Sequence, residues 1–317
     1  MDFAGQKLAE SGSGLWEGRL LSINLIGTLT INGLAMGMIY AMIAMGLIML
    51  IKAVGILNFA QGDLLTFGTF LACTMITEWK LPAIEWIPLA VISWGVLGVV
   101  FMLITYWPLR NASYAVAPIV ATMGASLVLS EGVLLIWGAF PRTMPSILLN
   151  EDGRAATVRM FNSEIQVQLF LTIGLGALLM FIVYILTEKL YVGKMMKAAA
   201  QDKYAARLIG IPPMLTTMVT YALVTILISA AGYMVSPVFS VTKNLSSLQL
   251  KAFAGTVIGG FGSIKGAIIG CMIVGLIEAY AQIDLSLYKE AVVFFALIIF
   301  LIVRPGGLIK TKIQEKA

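Results

Sequence analysis

Long apolar runs recur along the chain and constrain its fold more than any other feature. A helix needs about 20 apolar residues to cross the hydrocarbon core of a bilayer. Eight runs approach or exceed that length: residues 23–51, 58–76, 86–107, 117–139, 169–187, 213–235, 249–280 and 288–303. Because 60% of the residues are apolar, 12% are charged and none is histidine, the composition is typical of a membrane protein. The pattern predicts an all-α polytopic membrane protein with about eight transmembrane helical elements, folded as one transmembrane domain over residues 1–317.

Glycine and polar residues break the apolar pattern in two places. The run 249–280 is too long for one untilted span and contains GGFGSIKGA at 259–267, which predicts a short helix, a glycine break and then a span. In the first half, KAVGILNFAQGDLLTFG at 52–68 separates two apolar runs. Irregular backbone inside a membrane is tolerated only where protein or a water-lined cavity covers it. We therefore expect glycine-broken or re-entrant segments, and the break favours a nearby pathway.

Polar side chains within these apolar helices are candidates for the lining of a pathway, since such groups tend to face the interior of a bundle. The candidates are Asn58, Gln61, Thr122 and Ser126. The alternative is helix-to-helix hydrogen bonding, which contributes only about 0.6 kcal/mol on average in membranes. Asp63 has two interpretations as well: it either satisfies the first-turn N–H groups of the helix that follows or contacts a solute directly.

Positive charge is concentrated in two places, the loop 188–212 and the end of the chain. The loop carries five basic residues against two acidic ones, and the last fourteen residues include Arg304, Lys310, Lys312 and Lys316. By the positive-inside rule, both segments are cytoplasmic, which requires an even number of crossings between them. The net charge of +5 is explained by this orientation, so no nucleic-acid partner is expected.

Within this cytoplasmic loop, MMKAAAQDKYAARLIGIPP at 195–213 predicts a short polar helix. Its alanines favour helix, and Gly210 followed by two prolines is a stop signal. Small side chains allow a cytosolic partner to approach closely, whereas the alternative is an amphipathic connector that contacts lipid headgroups. The long, nearly neutral segment 140–168 is expected to face outward, either as a docking surface for an external protein or as a plain surface loop.

Motifs for enzymatic chemistry are missing from the sequence. No G-x-x-x-x-G-K-[ST] or G-x-S-x-G sequence occurs, and the absence of histidine removes the usual general base and most zinc sites. Cys73 and Cys271 each lie in an apolar run, so neither a disulfide framework nor a thiolate metal site is indicated. We expect no catalytic residue, no metal site and no cofactor in this chain.

Six sequence blocks, taken in order, resemble the LivH-like permeases of branched-chain amino acid ABC importers. The blocks are NGLAMGMIYAMIAMGLIMLIKAVGILNFAQGDLLTFG at 32–68, APIVATMGASLVL at 117–129, KAAAQDKYAARLIGI at 197–211, LKAFAGTVIGGFGSIKGAIIG at 250–270, YKEAV at 288–292 and RPGGL at 304–308. The chain departs from the family where Gln61-Gly62-Asp63 replaces the common His-Gly-Glu and where Lys265 replaces a proline.

The resemblance implies a transmembrane permease subunit in a bacterial or archaeal plasma membrane, for branched-chain amino acids or related small polar or carboxylate solutes. It implies four kinds of partner: a second homologous permease, two cytosolic ATPase subunits that hold ATP and Mg²⁺, an extracytoplasmic substrate-binding protein and the lipid bilayer. Residues 197–211 match the coupling loop, with Ala198, Ala200, Asp202, Ala206 and Gly210 as the candidate contacts to the ATPase. Relatives are also associated with urea, short amides and aromatic acids. The alternative function is a stand-alone secondary transporter or channel with its site at half-helix ends.

Overall fold

The structure, a computed structural model, describes the backbone of residues 3–110, 114, 116–150, 154–160, 163–304 and 306–309. Within these ranges, side chains are described except for residues 3–24, 203 and 284. Of the basic residues expected at the end of the chain, Lys310, Lys312 and Lys316 lie outside the described residues.

Eleven α-helices and one small hairpin are present in the described part of the chain. The helices are α1 (Phe3–Val54), α2 (Gln61–Cys73), α3 (Ala83–Phe101), α4 (Ala117–Trp137), α5 (Val167–Glu188), α6 (Tyr191–Gln201), α7 (Lys203–Leu208), α8 (Pro213–Val235), α9 (Leu248–Gly259), α10 (Ile264–Asp284) and α11 (Lys289–Val303). A π-helical turn extends α2 over Thr74–Glu78 and another extends α3 over Met102–Tyr106. Strands β1 (Thr157–Met160) and β2 (Ser163–Gln166) pair antiparallel in the predicted external segment.

Seven described helical segments are long and apolar enough to cross a membrane, so the chain is an all-α polytopic membrane protein, as predicted. They are Leu25–Val54, Ala83–Tyr106, Ala117–Trp137, Val167–Glu188, Pro213–Val235, Ile264–Ile283 and Ser286–Val303. All eight apolar runs are helical. The run 249–280 divides into the short α9 and the spanning α10, which confirms the prediction of a short helix, a break and a span.

Two helices form the centre of the bundle. Of the apolar window in each span, 83% is buried in α1 and 67% in α8, against 6% in the segment containing α11. Because lipid is as apolar as the side chains, close packing rather than exclusion from water holds such helices together. Glycines allow that packing: a methyl group on Gly37 would lie 2.9 Å from Met272 Cα, and one on Gly275 would overlap the Gly33 carbonyl. These glycines therefore permit the close approach of α1 and α10.

Contacts between loops define the two ends of the bundle. Lys52 at the end of α1, Glu188 at the end of α5, Lys197 on α6 and Ile264 at the start of α10 line one small cleft. We call this end, which carries the predicted cytoplasmic segment, the inner end. At the opposite, outer end, Arg142 exchanges backbone hydrogen bonds with Val241 (3.0 and 2.8 Å).

The glycine break lies at the inner end, where the chain's own tail covers it. The N–H groups of Leu308 and Ile309 donate to the carbonyls of Ile258 and Gly259 (3.0 and 3.1 Å). Gly260 has φ +110°, a conformation that favours glycine. Protein rather than a cavity therefore satisfies these two carbonyls, and the pathway expected near the break stays a prediction. Helices α8, α9, α10 and α11 run alternately outward and inward, which gives the even number of passes expected between the loop and the tail.

Candidate functional site

The start of α2 lies inside the bundle, and side chains from outside the helix satisfy its first amide groups. Asn58 Oδ1 accepts a hydrogen bond from Ala60 N (3.0 Å), and Gln249 Oε1 of α9 accepts one from Gly62 N. Gln249 Nε2 in turn donates to the Asn58 carbonyl (2.9 Å). Two side chains thus fix the turn before α2 and bind it to α9, and Asp63 is not needed to cap these two amides.

Gln61 and Thr122 hold this turn against neighbouring helices. Gln61 Nε2 donates to the Ile43 carbonyl of α1 (2.8 Å), and the residue is fully buried. Thr122 Oγ1 of α4 accepts a hydrogen bond from Phe59 N (3.2 Å) and donates to the Ile119 carbonyl (2.8 Å). The structure therefore brings the four predicted pathway residues close together. Of these, Asn58, Gln61 and Thr122 do not line the polar cavity that is described next.

Ser126 and Asp63 lie at the surface of a polar cavity. The Ser126 hydroxyl donates to Asp63 Oδ2, and both residues line a polar cavity of about 480 Å³. The remaining lining residues are Phe59, Asn244, Ser246, Ser247, Gln249, Leu250 and Glu290. Of the predicted pathway residues, Ser126 is the one placed at this cavity, and the pathway role of all four stays a prediction.

A buried ion pair lies next to the polar cavity. Lys251 Nζ of α9 is 2.7 Å from Glu278 Oε1 of α10 and 3.3 Å from Glu290 Oε1 of α11. The Tyr40 hydroxyl of α1 donates to the other Glu278 oxygen. Four helices are therefore joined through one group of charges. The sequence does not indicate this pairing, because it depends on how α9 folds back on α10.

At the inner end, the predicted polar helix is two helices that meet at Asp202. Asp202 has extended backbone angles (φ −148°, ψ 111°), and its carboxylate accepts hydrogen bonds from the amides of Tyr204 (2.7 Å) and Ala205 (3.0 Å). This is N-cap geometry, which ends α6 and begins α7. Lys197 of α6 pairs with Glu188 at the end of α5. We call residues 191–210 the inner-end segment.

The predicted ATPase contacts occupy different environments in this segment. Asp202 and Gly210 are exposed, whereas Ala198 and Ala200 are half-buried. Ala206 is only 2% exposed, so it packs against the rest of the chain and offers no surface to a partner. Gly210 has φ +83°, and its amide donates to the Arg207 carbonyl (3.1 Å), which places it in the turn after α7.

Sequence reasoning missed three apolar residues that protrude from the inner-end segment. Tyr204, Leu208 and Ile209 are 73%, 73% and 72% exposed. Tyr204 and Leu208 are four residues apart and thus share one face of α7. The spacing of Tyr204 and Leu208 was the sequence signal that could have indicated an apolar face. The alanines indicated a helix but not which of its faces is exposed.

Comparison with known proteins yields one family. The family model described as "Branched-chain amino acid transport system / permease component" matches residues 29–303. The high-affinity branched-chain amino acid transport system permease protein LivH of Salmonella typhimurium is 29% identical over 303 residues, covering 90% of this chain and 96% of the relative. BraD of Pseudomonas aeruginosa, described in the same words, is 27% identical over 299 residues, with the same coverage.

A more distant relative comes from Methanocaldococcus jannaschii: a probable branched-chain amino acid transport permease protein LivH, 25% identical over 283 residues, 84% of this chain and 87% of the relative. Over most of its length, including every span, the polar cavity and the inner-end segment, this chain belongs to the family of branched-chain amino acid transport system permease components.

Proposed function

We propose that this chain is a permease subunit of an ATP-driven importer in the plasma membrane, for branched-chain amino acids or closely related small solutes. Support comes from the family match over residues 29–303 and from relatives named as branched-chain amino acid permeases in two bacteria and an archaeon. The proposed partners are a second homologous permease, two cytosolic ATPase subunits and an extracytoplasmic substrate-binding protein.

The inner-end segment carries this proposal. Apolar side chains that protrude together from a polar surface mark interaction sites, and Tyr204, Leu208 and Ile209 do so at the end of the bundle that carries the basic loop. Arg207 and Lys194 of the same segment are exposed and positively charged. We assign the ATPase contact to this apolar patch and to Asp202 and Gly210 beside it, with Ala198 and Ala200 at its edge.

The proposed mechanism follows from the connections of this segment. Helix α6 is joined to α5 by the Lys197–Glu188 pair, and its buried residues Gly193 and Met196 face Lys52 of α1 and Ile264 of α10. A displacement of α7 by the ATPase is therefore passed to three spans at once. A docked ATPase can favour one of two conformations only through contacts that differ between them. We assign those contacts to the small cleft at the inner end, which includes Lys52 and Ile264.

Co-purification tests the proposal. A Leu208→Glu variant places a charge in the apolar patch and is expected to lower recovery of the ATPase subunits at least tenfold, with insertion into the membrane unchanged. Leu149→Glu is the matched control, since Leu149 is exposed in the external segment, and its ATPase recovery is expected to equal wild type. Normal recovery with Leu208→Glu would contradict the docking assignment.

The alternative of a stand-alone transporter or channel is tested in proteoliposomes that contain this chain without partners. We expect no amino acid uptake there, and ATP-dependent uptake once the second permease, the ATPases and the binding protein are added. Uptake by the chain alone would overturn the importer proposal.

A further inference from the structure

Asp63 is a buried carboxylate with no positive partner among the residues that the structure describes. A carboxylate buried away from water is costly, and acidic residues inside a membrane bundle usually have a partner or a function. Asp63 is 6% exposed. The ion pairs of the described residues do not include it, and the groups that interact with its carboxylate, the Ser126 and Ser246 hydroxyls and its own amide, are all neutral.

Glu278 shows how the same fold treats a carboxylate with a structural role. It lies at a similar degree of burial, but Lys251 and Tyr40 compensate its charge from two sides. Asp63 is also not required at the start of α2, because Asn58 and Gln249 accept from the amides of Ala60 and Gly62. A positive side chain therefore compensates the charge of Glu278, whereas only neutral groups contact Asp63 among the described residues.

The surface that Asp63 faces has the size and chemistry of a small-molecule site. The polar cavity holds about 480 Å³, within the range of about 300–1,000 Å³ that is typical of such sites. Among the described residues, Asp63 is the lining carboxylate without an ion-pair partner, since Glu290 pairs with Lys251, so a cation or an N–H donor fits beside Asp63 better than an anion does. Phe59 and Leu250, which are 42% and 54% exposed, contribute apolar surface to the same lining.

We propose that the polar cavity binds an amine-bearing apolar solute, with the solute's ammonium group on the Asp63 carboxylate and its hydrocarbon side chain against Phe59 and Leu250. The inference rests on the proposed function and narrows it: aliphatic amino acids fit this cavity, and carboxylic acids without an amine do not. Ser126 is a positioning residue that orients the Asp63 carboxylate through their hydrogen bond. Asn244 and Ser247 supply neutral donors for the carboxylate of an amino acid.

Binding to the assembled permease–ATPase complex in nanodiscs, without the binding protein, tests this proposal directly. Three probes share a branched hydrocarbon chain: leucine, 3-methylbutylamine, which lacks the carboxylate, and 4-methylpentanoate, which lacks the amine. Saturation-transfer NMR detects weak binding of each. We expect leucine and 3-methylbutylamine to bind and 4-methylpentanoate to bind at least tenfold more weakly. Equal binding of the acid, or no binding of either amine, would overturn the proposal.

Variants assign the binding to Asp63. Asp63→Asn is expected to weaken leucine binding at least tenfold, Asp63→Glu to retain it within a few-fold and Ser126→Ala to weaken it a few-fold. Glu131→Gln is the control, because Glu131 is an exposed carboxylate whose ion-pair partner, Lys243, is 3.9 Å away. If Asp63→Asn does not assemble, binding of the three probes to the Asp63→Glu and Ser126→Ala variants tests the role of Asp63 instead. Leucine binding by Asp63→Asn equal to wild type would refute the role of Asp63.

Failure of the proposed function would look different. A wild-type complex that shows amine-dependent binding but no ATP-dependent uptake with its binding protein would refute the importer and leave the cavity assignment intact. ATP-dependent uptake without amine-dependent binding would refute the cavity assignment and leave the importer proposal intact.

Discussion

Lys251 and Glu278 form the most completely buried ion pair among the described residues, with side chains 8% and 10% exposed. Removing one member of a buried pair leaves an uncompensated charge, whereas an exposed pair contributes little. Glu278 would keep only the Tyr40 hydroxyl as a partner if Lys251 were lost. Burial, rather than charge alone, therefore makes Lys251 a stability determinant.

We predict that Lys251→Met destabilises the folded chain by about 3–5 kcal/mol, measured as the free energy of unfolding in mixed micelles. Replacing both partners, with Lys251→Met and Glu278→Leu together, should recover most of the loss because neither member of the pair then leaves a buried charge behind. Arg159→Met is the control: its pair with Glu164 spans 3.4 Å on exposed side chains, and little change is expected. Equal stability of the Lys251 and Arg159 variants would contradict this account.

The inner-end segment depends, as an element, on the cap at Asp202. Two amides of α7 donate to the Asp202 carboxylate, and α7 has only six residues, too few to be stable by itself. Since Tyr204 and Leu208 protrude from α7, the cap fixes where the apolar patch lies.

We predict that Asp202→Ala removes about 1 kcal/mol of local stability and lowers stimulation of ATPase activity by the loaded binding protein severalfold. Asp202→Asn retains an oxygen acceptor but no charge, so it should stay close to wild type if capping is what matters. ATPase assays on the reconstituted complex compare the two. Equal loss in both variants would show that the charge contacts the ATPase, and wild-type stimulation by Asp202→Ala would refute the need for the cap.

On the scale of the whole molecule, α1 and α8 at the centre hold a bundle whose two ends carry different chemistry. The inner end has the basic loop, the apolar patch and the covered glycine break, and the outer end has the β-hairpin and the contact between Arg142 and Val241. Seven spans together with the short α2 and α9 separate the two ends.

We predict opposite accessibility for cysteines placed at these ends. Arg159→Cys should react with a membrane-impermeant maleimide in right-side-out vesicles, and Arg207→Cys, in the chain expressed without partners, only after permeabilisation. The parent chain is the control, because Cys73 and Cys271 are both fully buried and should not react. Labelling of Arg207→Cys from outside would reverse the topology and remove the basis for ATPase docking.

The sequence by itself determined the class of fold. Hydrocarbon thickness fixes the length of an apolar span, so runs such as 213–235 and 288–303 could be recognised as membrane helices without a structure. Local chemistry also revealed the division of 249–280, because glycines at 259, 260 and 262 are a backbone signal. The inner-end segment was predictable as helix and as basic, since both properties belong to neighbouring residues.

Only the tertiary structure decided which side chains face outward, inward or each other. Ala206 and Leu208 are two residues apart, yet one is buried and the other exposed, because α7 packs on one side only. Asp63 and Glu278 look alike in the sequence, but Lys251 of α9 reaches Glu278 and leaves Asp63 facing the polar cavity. Burial and pairing depend on contacts between residues far apart in the chain, and sequence patterns report only on near neighbours.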